Sequence, residues 1–340
     1  MYLKIFYEEM DVLTKDILYR LHAGGYRMEL VCVGKNAPDD DGFLSFYSRS
    51  LTGPHIQLCL CNPKKLFKSF EAQKKIMFLF PNYEFDESDI EIFQSMDLIL
   101  TANPLIGERL TQHGMKNSVN VQCFYDMLKV EKSKMEKYTF LSHFDWKEER
   151  GWKEMLFSYC NAFPDGSVDI IISTNMDSYA VNEQISRFLA LNNFNRLLYP
   201  GIYVLSGKSF EEVFKFADCF VAPYLTNHYD QNVLTSMRCG TPLIISRLEA
   251  YQFFCRKSTC WVVDFINQDT LDTMQMAESM IKVVEDREDA NRKTDMAKSF
   301  LESKFGREDL FSSIIGSINS FGARPVSDLS FEVNKKGNII

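Results

Sequence analysis

The residues able to do chemistry in this chain gather in a few short stretches. The most distinctive is DQNVLTSMRCGTPLII, residues 230–245, where a polar, turn-like lead-in runs into a short helical pattern, stops at Cys-Gly-Thr-Pro and passes straight into an apolar run. The run PDDDG at 38–42 has the acidic density of a metal site, yet its flanking Pro and Gly, just after a strand pattern, make a solvated loop the better reading. Nine cysteines are scattered along the chain. Cys59 and Cys61 are too close for a zinc-type CxxC, and no His/Cys cluster stands at ligand spacing, so the thiols read as reduced core residues of a cytosolic protein and no metal site is expected. His55 and His113 read as structural, and no Ser/His/Asp order can be tied together, which leaves nucleophilic catalysis without support. Ser209 followed by Glu212 has capping-box spacing, and Asp11 reads as the cap of a first helix.

These stretches need a scaffold, and 340 residues that are 46% hydrophobic and 25% charged can build one large core or two ordinary ones; two domains are expected. A formal charge of -8 argues against a generic nucleic-acid binder. The N-terminus MYLKIFYEEM has neither the basic flank nor the long apolar region of a signal peptide, and no apolar run nears the roughly 20 residues of a membrane span. Lysines 64, 65, 68, 74 and 75 lie around Phe67 and Phe70; a solvated helix face is the expected reading, with peripheral membrane contact as the alternative.

Strand and helix patterns alternate. YLKIFY, MELVCVG, IQLCLC, KIMFLF, DLILT and VNVQCF read as strands, with VLTKDILYRLHAGG, DIEIFQSM and PLIGERLTQHG as helices among them. Around 127–138 the pattern breaks into a charged linker. It restarts with YTFLSHF, WKEMLFSYCNAF, DIIIST, NEQISRFLALNN, IYVLSG, SFEEVFKFA, CFVAPY, the helix of residues 230–240, PLIIS and WVVDF. Two Rossmann-like units in series imply an α/β protein with a ligand cleft between parallel sheets. The expected boundaries are 1–130 for the first domain, 138–305 for the second, 306–322 for a closing helix and 323–340 for a polar tail.

The second half resembles the C-terminal domain of GT-B glycosyltransferases, most closely the retaining group called family 4. The resemblance rests on FLSHFDWKEERGWKEMLFSYCNAF, VLSGKSFEEVFKFADCFVAPY and NHYDQNVLTSMRCGTPLIIS, in the family's order and near its spacing. FLFPNYEFDESDIEIFQSMDLILTANPLIGERLTQHGM in the first half resembles the family more weakly. What the resemblance implies is a GT-B architecture, two Rossmann-like domains facing across an interdomain cleft, with acceptor bound on the first and nucleotide sugar on the second.

Residue by residue, the resemblance implies that the donor phosphates meet the loop HFDWKEERGWK, with Arg150 in place of the family's lysine before Gly151 and His143 where many members carry arginine. Gly207 and Lys208 fall beside the nucleobase, and Asp230, Gln231, Asn232 and Val233 form the donor-facing helix start. The family's two glutamates, eight positions apart, become Asn227 and Thr235 here, so sugar and ribose would meet uncharged groups, with Asp230 and His228 as neighbours able to assist. A glycine-rich loop after the first strand is replaced by YEEMDVLTKD; Glu8, Glu9 and Asp11 lining the acceptor side is the alternative to the favoured reading of Asp11 as a helix cap, and Glu84 in NYEFDE is the first-domain site candidate.

The expectation is therefore a retaining, metal-independent glycosyltransferase, with no cofactor beyond a UDP- or GDP-sugar donor and a glycan, lipid-linked glycan or protein hydroxyl as acceptor. It would be cytoplasmic, with membrane-surface contact left open. A catalytically silent GT-B binding subunit and a nucleotide-sugar epimerase are the alternatives, the first favoured by the missing glutamates.

Overall fold

The computed structural model describes all residues except 9–11, 35–49, 67–71, 81–82, 84, 122–129, 134, 145, 147–150, 200, 226–229, 268, 305–306 and 324–340. The chain divides into two compact units, one of residues 1–125 joined by the segment from 306 onward, the other of residues 126–305.

In the first unit β1 (Tyr2–Tyr7), α1 (Val12–Ala23), β2 (Met28–Cys32), β3 (His55–Leu60), β4 (Lys74–Leu79), α2 (Ile90–Gln94), β5 (Leu98–Thr101), α3 (Pro104–Gln112) and β6 (Ser118–Asn120) succeed one another. The strands pair in parallel in the order β2-β1-β3-β4-β5-β6. Their near-continuous apolar runs follow from burial on both faces. Alternation along each strand sends Leu3, Ile5, Ile56, Leu58, Ile76 and Phe78 into one core. Phe6, Cys59, Met77 and Leu79 enter the other, against Phe93, Ile106 and Leu110. Asn103 caps α3 from its side chain, with Pro104 in the first turn where a missing N–H costs nothing.

The second unit runs β7 (Thr139–Phe144), α4 (Trp152–Ala162), β8 (Asp169–Thr174), α5 (Ser178–Leu191), β9 (Ile202–Ser206), α6 (Phe210–Phe214), β10 (Cys219–Ala222), α7 (Gln231–Arg238), β11 (Leu243–Ser246), α8 (Glu249–Gln252) and β12 (Trp261–Val263). A hairpin of β13 (Phe265–Asn267) and β14 (Thr270–Leu271) follows, then α9 (Thr273–Glu285) and α10 (Arg287–Lys304). Its sheet is parallel, in the order β12-β11-β10-β7-β8-β9. The start of the linker region is outside the described residues, but Lys132, read as part of a solvated charge run, turns its ammonium onto the Phe214 and Ala217 carbonyls at 3.0 and 2.8 Å, closing the end of α6.

The last helix, α11 (Arg307–Ser320), returns to the first unit. Leu310, Phe311, Ile314 and Ile318 share a core with Leu13, Ile17 and Leu21 of α1. The Arg20 guanidinium lies 4.0 Å from the centre of the Phe311 ring, and the Tyr26 hydroxyl donates to Asn319 Oδ1 at 2.6 Å.

The segment KTDMAKSFLESKFGREDLFSSIIGSI carries parts of two helices, α10 and α11, belonging to different units, and α11 lies within 306–322. Two local readings of the sequence change. The described members of the lysine run form no helix face: Pro63–Lys65 is a single 3-10 turn, Lys74 and Lys75 open β4, and Lys64, Lys65 and Lys74 pair with Asp86, Glu8 and Asp97, while Lys68 lies outside the described residues. VNVQCF contributes only its start to β6, and residues 122–124 lie outside the described set. Residues 38–42 and the tail beyond Ala323 also lie outside it.

Ile314→Ala should lower the unfolding free energy by about 2–5 kcal/mol in urea denaturation, whereas Leu191→Ala on the exposed end of α5 should change it by no more than about 0.5 kcal/mol. Asp169, buried at the start of β8, has Oδ1 without a hydrogen bond and Lys137 Nζ only at 3.8 Å. Burial pushes its carboxyl above the ordinary carboxylate value, against the opposing pull of Lys137. The folded state therefore binds this proton more tightly than the unfolded chain, so this group contributes stability that increases as pH falls through the raised folded value. Asp169→Asn should raise the melting temperature at pH 7, by a margin that narrows towards pH 4.

Candidate functional site

Strand order in the second unit reverses between β7 and β10: the chain steps from β7 to β8 and β9 on one side, then to β10, β11 and β12 on the other. At such a switch point the loops leaving neighbouring strands diverge and open a crevice beyond their C-terminal ends. The loop leaving β7 leads into α4, and that leaving β10 leads into α7.

These loops meet through the backbone. Gly151 is the residue before α4, with φ of +82°, and a Cβ there would lie 1.9 Å from the Pro223 carbonyl oxygen. No side chain caps α4 among the described residues. Its first-turn N–H groups and the positive end of an 11-residue helix thus form a ready anion position.

The start of α7 is different. Asp230 caps it, Oδ1 accepting from the Asn232 N–H at 2.9 Å. The Tyr224 hydroxyl lies 2.8 Å from Asp230 Oδ2 and 2.9 Å from the His143 carbonyl oxygen, and its one proton serves one of them at a time. Ser246 Oγ donates to the Tyr224 carbonyl at 2.6 Å. The end of β7, the end of β10 and the start of α7 are thereby tied at one point, with a carboxylate already at the positive end of α7. The sharp stop read in the sequence is a Schellman close: Gly240, φ +65°, donates to the Met237 carbonyl, and Thr241 to that of Ser236 at 2.9 Å.

Other sequence candidates take defined places. His143 is the penultimate residue of β7, its Nδ1 3.2 Å from Ser173 Oγ and its ring edge-on to Phe210. Gly207, φ +66°, turns the chain after β9 with nothing within 4 Å of where a Cβ would be. Lys208 reaches Glu212 at 3.8 Å, and Ser209 and Glu212 form the expected capping box. Gln231 and Asn232 open α7 half-buried, while Val233 is in the core. Thr235 is only 1% exposed, and its hydroxyl donates to the Gln231 carbonyl at 2.9 Å. Glu84, Arg150, Asn227 and His228 lie outside the described residues, as do Glu9 and Asp11.

In the first unit the strand order reverses between β1 and β3, and there a cavity of about 720 Å³ opens. Glu8 follows β1, Cys61 and Asn62 follow β3, Phe80 follows β4, and Tyr83, Phe85 and Asp86 come from the next segment. Glu8 accepts from the Asn62 N–H at 3.3 Å and stands 3.6 Å from Lys65. Asp86 is held by the Lys64 ammonium and the Ser88 N–H, which keep its carboxyl well below the usual carboxylate range. The Tyr83 hydroxyl donates to Asp89 Oδ2 at 2.5 Å, and burial followed by that neighbouring carboxylate drives the phenol far up. Sequence reasoning reached this segment through NYEFDE but missed Tyr83 and Asp89, which a 3-10 turn at Glu87–Asp89 brings together and no motif marks. Among the described residues no three His, Cys, Asp or Glu side chains gather as a metal site, and no helix is long and apolar enough to cross a membrane.

No protein-family model and no curated sequence matches the chain. Solved structures do. The HepE protein of Anabaena, crystallised with UDP-glucose, superposes with a TM-score of 0.69 over 94% of this chain and 100% of its own, at 9% identity. Sucrose-phosphate synthase from Thermosynechococcus elongatus gives 0.68 over 94% and 98% at 11% identity. The pneumococcal O-GlcNAc transferase GtfA, with UDP and GlcNAc, gives 0.59 over 78% and 57% at 7% identity. The fold is GT-B. At these identities the likeness is one of fold, and a GT-B chain's activity must be argued from its own residues.

Gly151→Ala forces a left-handed alanine, worth roughly 1–2 kcal/mol, and adds the clash with Pro223. It should therefore lower the urea midpoint more than Gly207→Ala, which carries the same backbone strain in open space.

Proposed function

We propose that this GT-B protein transfers a sugar from a nucleotide-sugar donor to an acceptor hydroxyl, the second unit taking the donor and the first unit the acceptor. The observation that carries the reading is the uncapped start of α4 at the β7/β10 switch point, entered through Gly151. Departing diphosphate gathers negative charge in the transition state, and fixed backbone N–H groups at a helix start stabilise it without reorganising. Arg150, immediately before Gly151, would add a bidentate cation. Asp230, already at the start of α7, disfavours phosphate there and suits the donor's hydroxyls instead, with Asn227 and His228 in the preceding loop as further sugar contacts.

Retention fits this division. With the acceptor proton passing to a departing phosphate oxygen, the protein supplies position and charge stabilisation and needs no dedicated base. UDP is the favoured nucleotide, since HepE was crystallised with UDP-glucose and GtfA with UDP and GlcNAc. Metal independence and a cytoplasmic site of action belong to the same proposal.

One observation favours a second reading, a catalytically silent GT-B binding subunit: where the family resemblance expects a ribose-binding carboxylate, Thr235 is buried and its hydroxyl turns to its own helix. Calorimetric titration with UDP, GDP and their common sugars, combined with donor turnover in the presence and absence of acceptor mixtures, separates the two. The enzyme reading expects a UDP-sugar to bind and turn over, and expects Arg150→Ala to weaken donor binding by about tenfold or more, the loss of a charge-assisted contact. Absence of binding to every donor would leave the silent-subunit reading standing.

A further inference from the structure

The acceptor's chemistry can be read from the cavity of the first unit, an inference that rests on the transferase reading above. At about 720 Å³ the cavity is of small-molecule size. Glu8, Asp86, Glu87 and Asp89 are its carboxylates, and Lys64 is the one cation among its described lining residues. That cation is committed to Asp86, and nearby Lys65 stands beside Glu8. A phosphate or carboxylate entering here would meet like charge with no uncommitted cation from the described lining.

Asp89 supplies the positive half of the argument. It is 1% exposed, yet the Tyr83 hydroxyl is its one side-chain hydrogen-bond donor among the described residues, and that bond goes to Oδ2. An ionised carboxylate offers about four acceptor sites and no donor. Asp89 lines the cavity and keeps acceptor capacity there beyond its one bond from Tyr83. Glu8 also accepts only, and its single hydrogen bond is long at 3.3 Å. Hydroxyl groups of a sugar would answer both, while the half-buried rings of Tyr83 and Phe85 offer apolar surface to the sugar's C–H faces.

We propose that this cavity receives a non-anionic sugar ring, making the acceptor a glycan whose terminal residue carries neither phosphate nor carboxylate. The Tyr83 and Asp89 pair orients its hydroxyls.

Saturation-transfer NMR and competition titrations on the full-length protein would use methyl hexopyranosides, their 6-phosphates and the matching uronates. The neutral glycosides should bind, with the anionic counterparts about tenfold or more weaker, as like-charge juxtaposition requires. Asp89→Asn and the milder Tyr83→Phe should each weaken the neutral ligand several-fold, with UDP-sugar binding unchanged at a temperature where the thermal melt of each variant shows it folded. Glu8→Gln should narrow the gap between neutral and phosphorylated sugars. Equal or tighter binding of the 6-phosphate, no binding by any sugar, or neutral binding indifferent to both Asp89→Asn and Tyr83→Phe would overturn the proposal. UDP-sugar titrations on the same preparations keep the two readings apart: donor binding without sugar binding removes this inference alone, whereas absent donor binding removes the transferase reading.

Discussion

At Gly151 an added Cβ would lie 1.9 Å from the Pro223 carbonyl oxygen, so the backbone before α4 packs directly against the loop leaving the adjacent parallel strand β10. Any side chain at 151 would hold them apart. That approach sets where α4 begins, and the position of its first-turn N–H groups follows from it. The Tyr224 hydroxyl then fixes the other loop by choosing between a backbone carbonyl of β7 and the carboxylate that caps α7. The candidate site of the second unit thus joins backbone contact at Gly151 to side-chain ties at Tyr224 and Ser246.

The alternation of elements was legible because buried parallel strands must be apolar on both faces and their helices on one, so both sheets follow from the apolar runs. The Ser209 and Glu212 box and the Gly240 stop were also plain, since each depends on neighbours within five residues. What escaped depends on distance along the chain. Which helix the segment after 306 covers, α1 near the start of the chain, follows only from the core they share. The Lys64 and Lys65 run looked like a surface charge patch because its partners, Asp86 and Glu8, are more than twenty and fifty residues away. Tyr83 and Asp89 carry no motif; their relation arises from a turn of 3-10 helix at Glu87–Asp89.

Charge separates the roles of the two units. In the second, no described side chain caps α4 while Asp230 fills the start of α7, which leaves the start of α4 as the candidate anion position. In the first, carboxylates dominate the cavity and its cation is engaged. Under the proposed reading, a chain with a formal charge of -8 would accept a diphosphate at one site while rejecting anions at the other.

The return of α11 to the first unit gives the chain an order of assembly. Residues 126–305 must leave the ribosome before Phe311, Ile314 and Ile318 can cover α1. At about 5–20 residues per second that interval is roughly ten to forty seconds. During it, Leu13, Ile17 and Leu21 wait for their partner helix while the second unit, continuous in sequence, can close on itself. The nascent protein would thus be exposed longest to chaperones along α1, and the unit made first would be the last to finish folding.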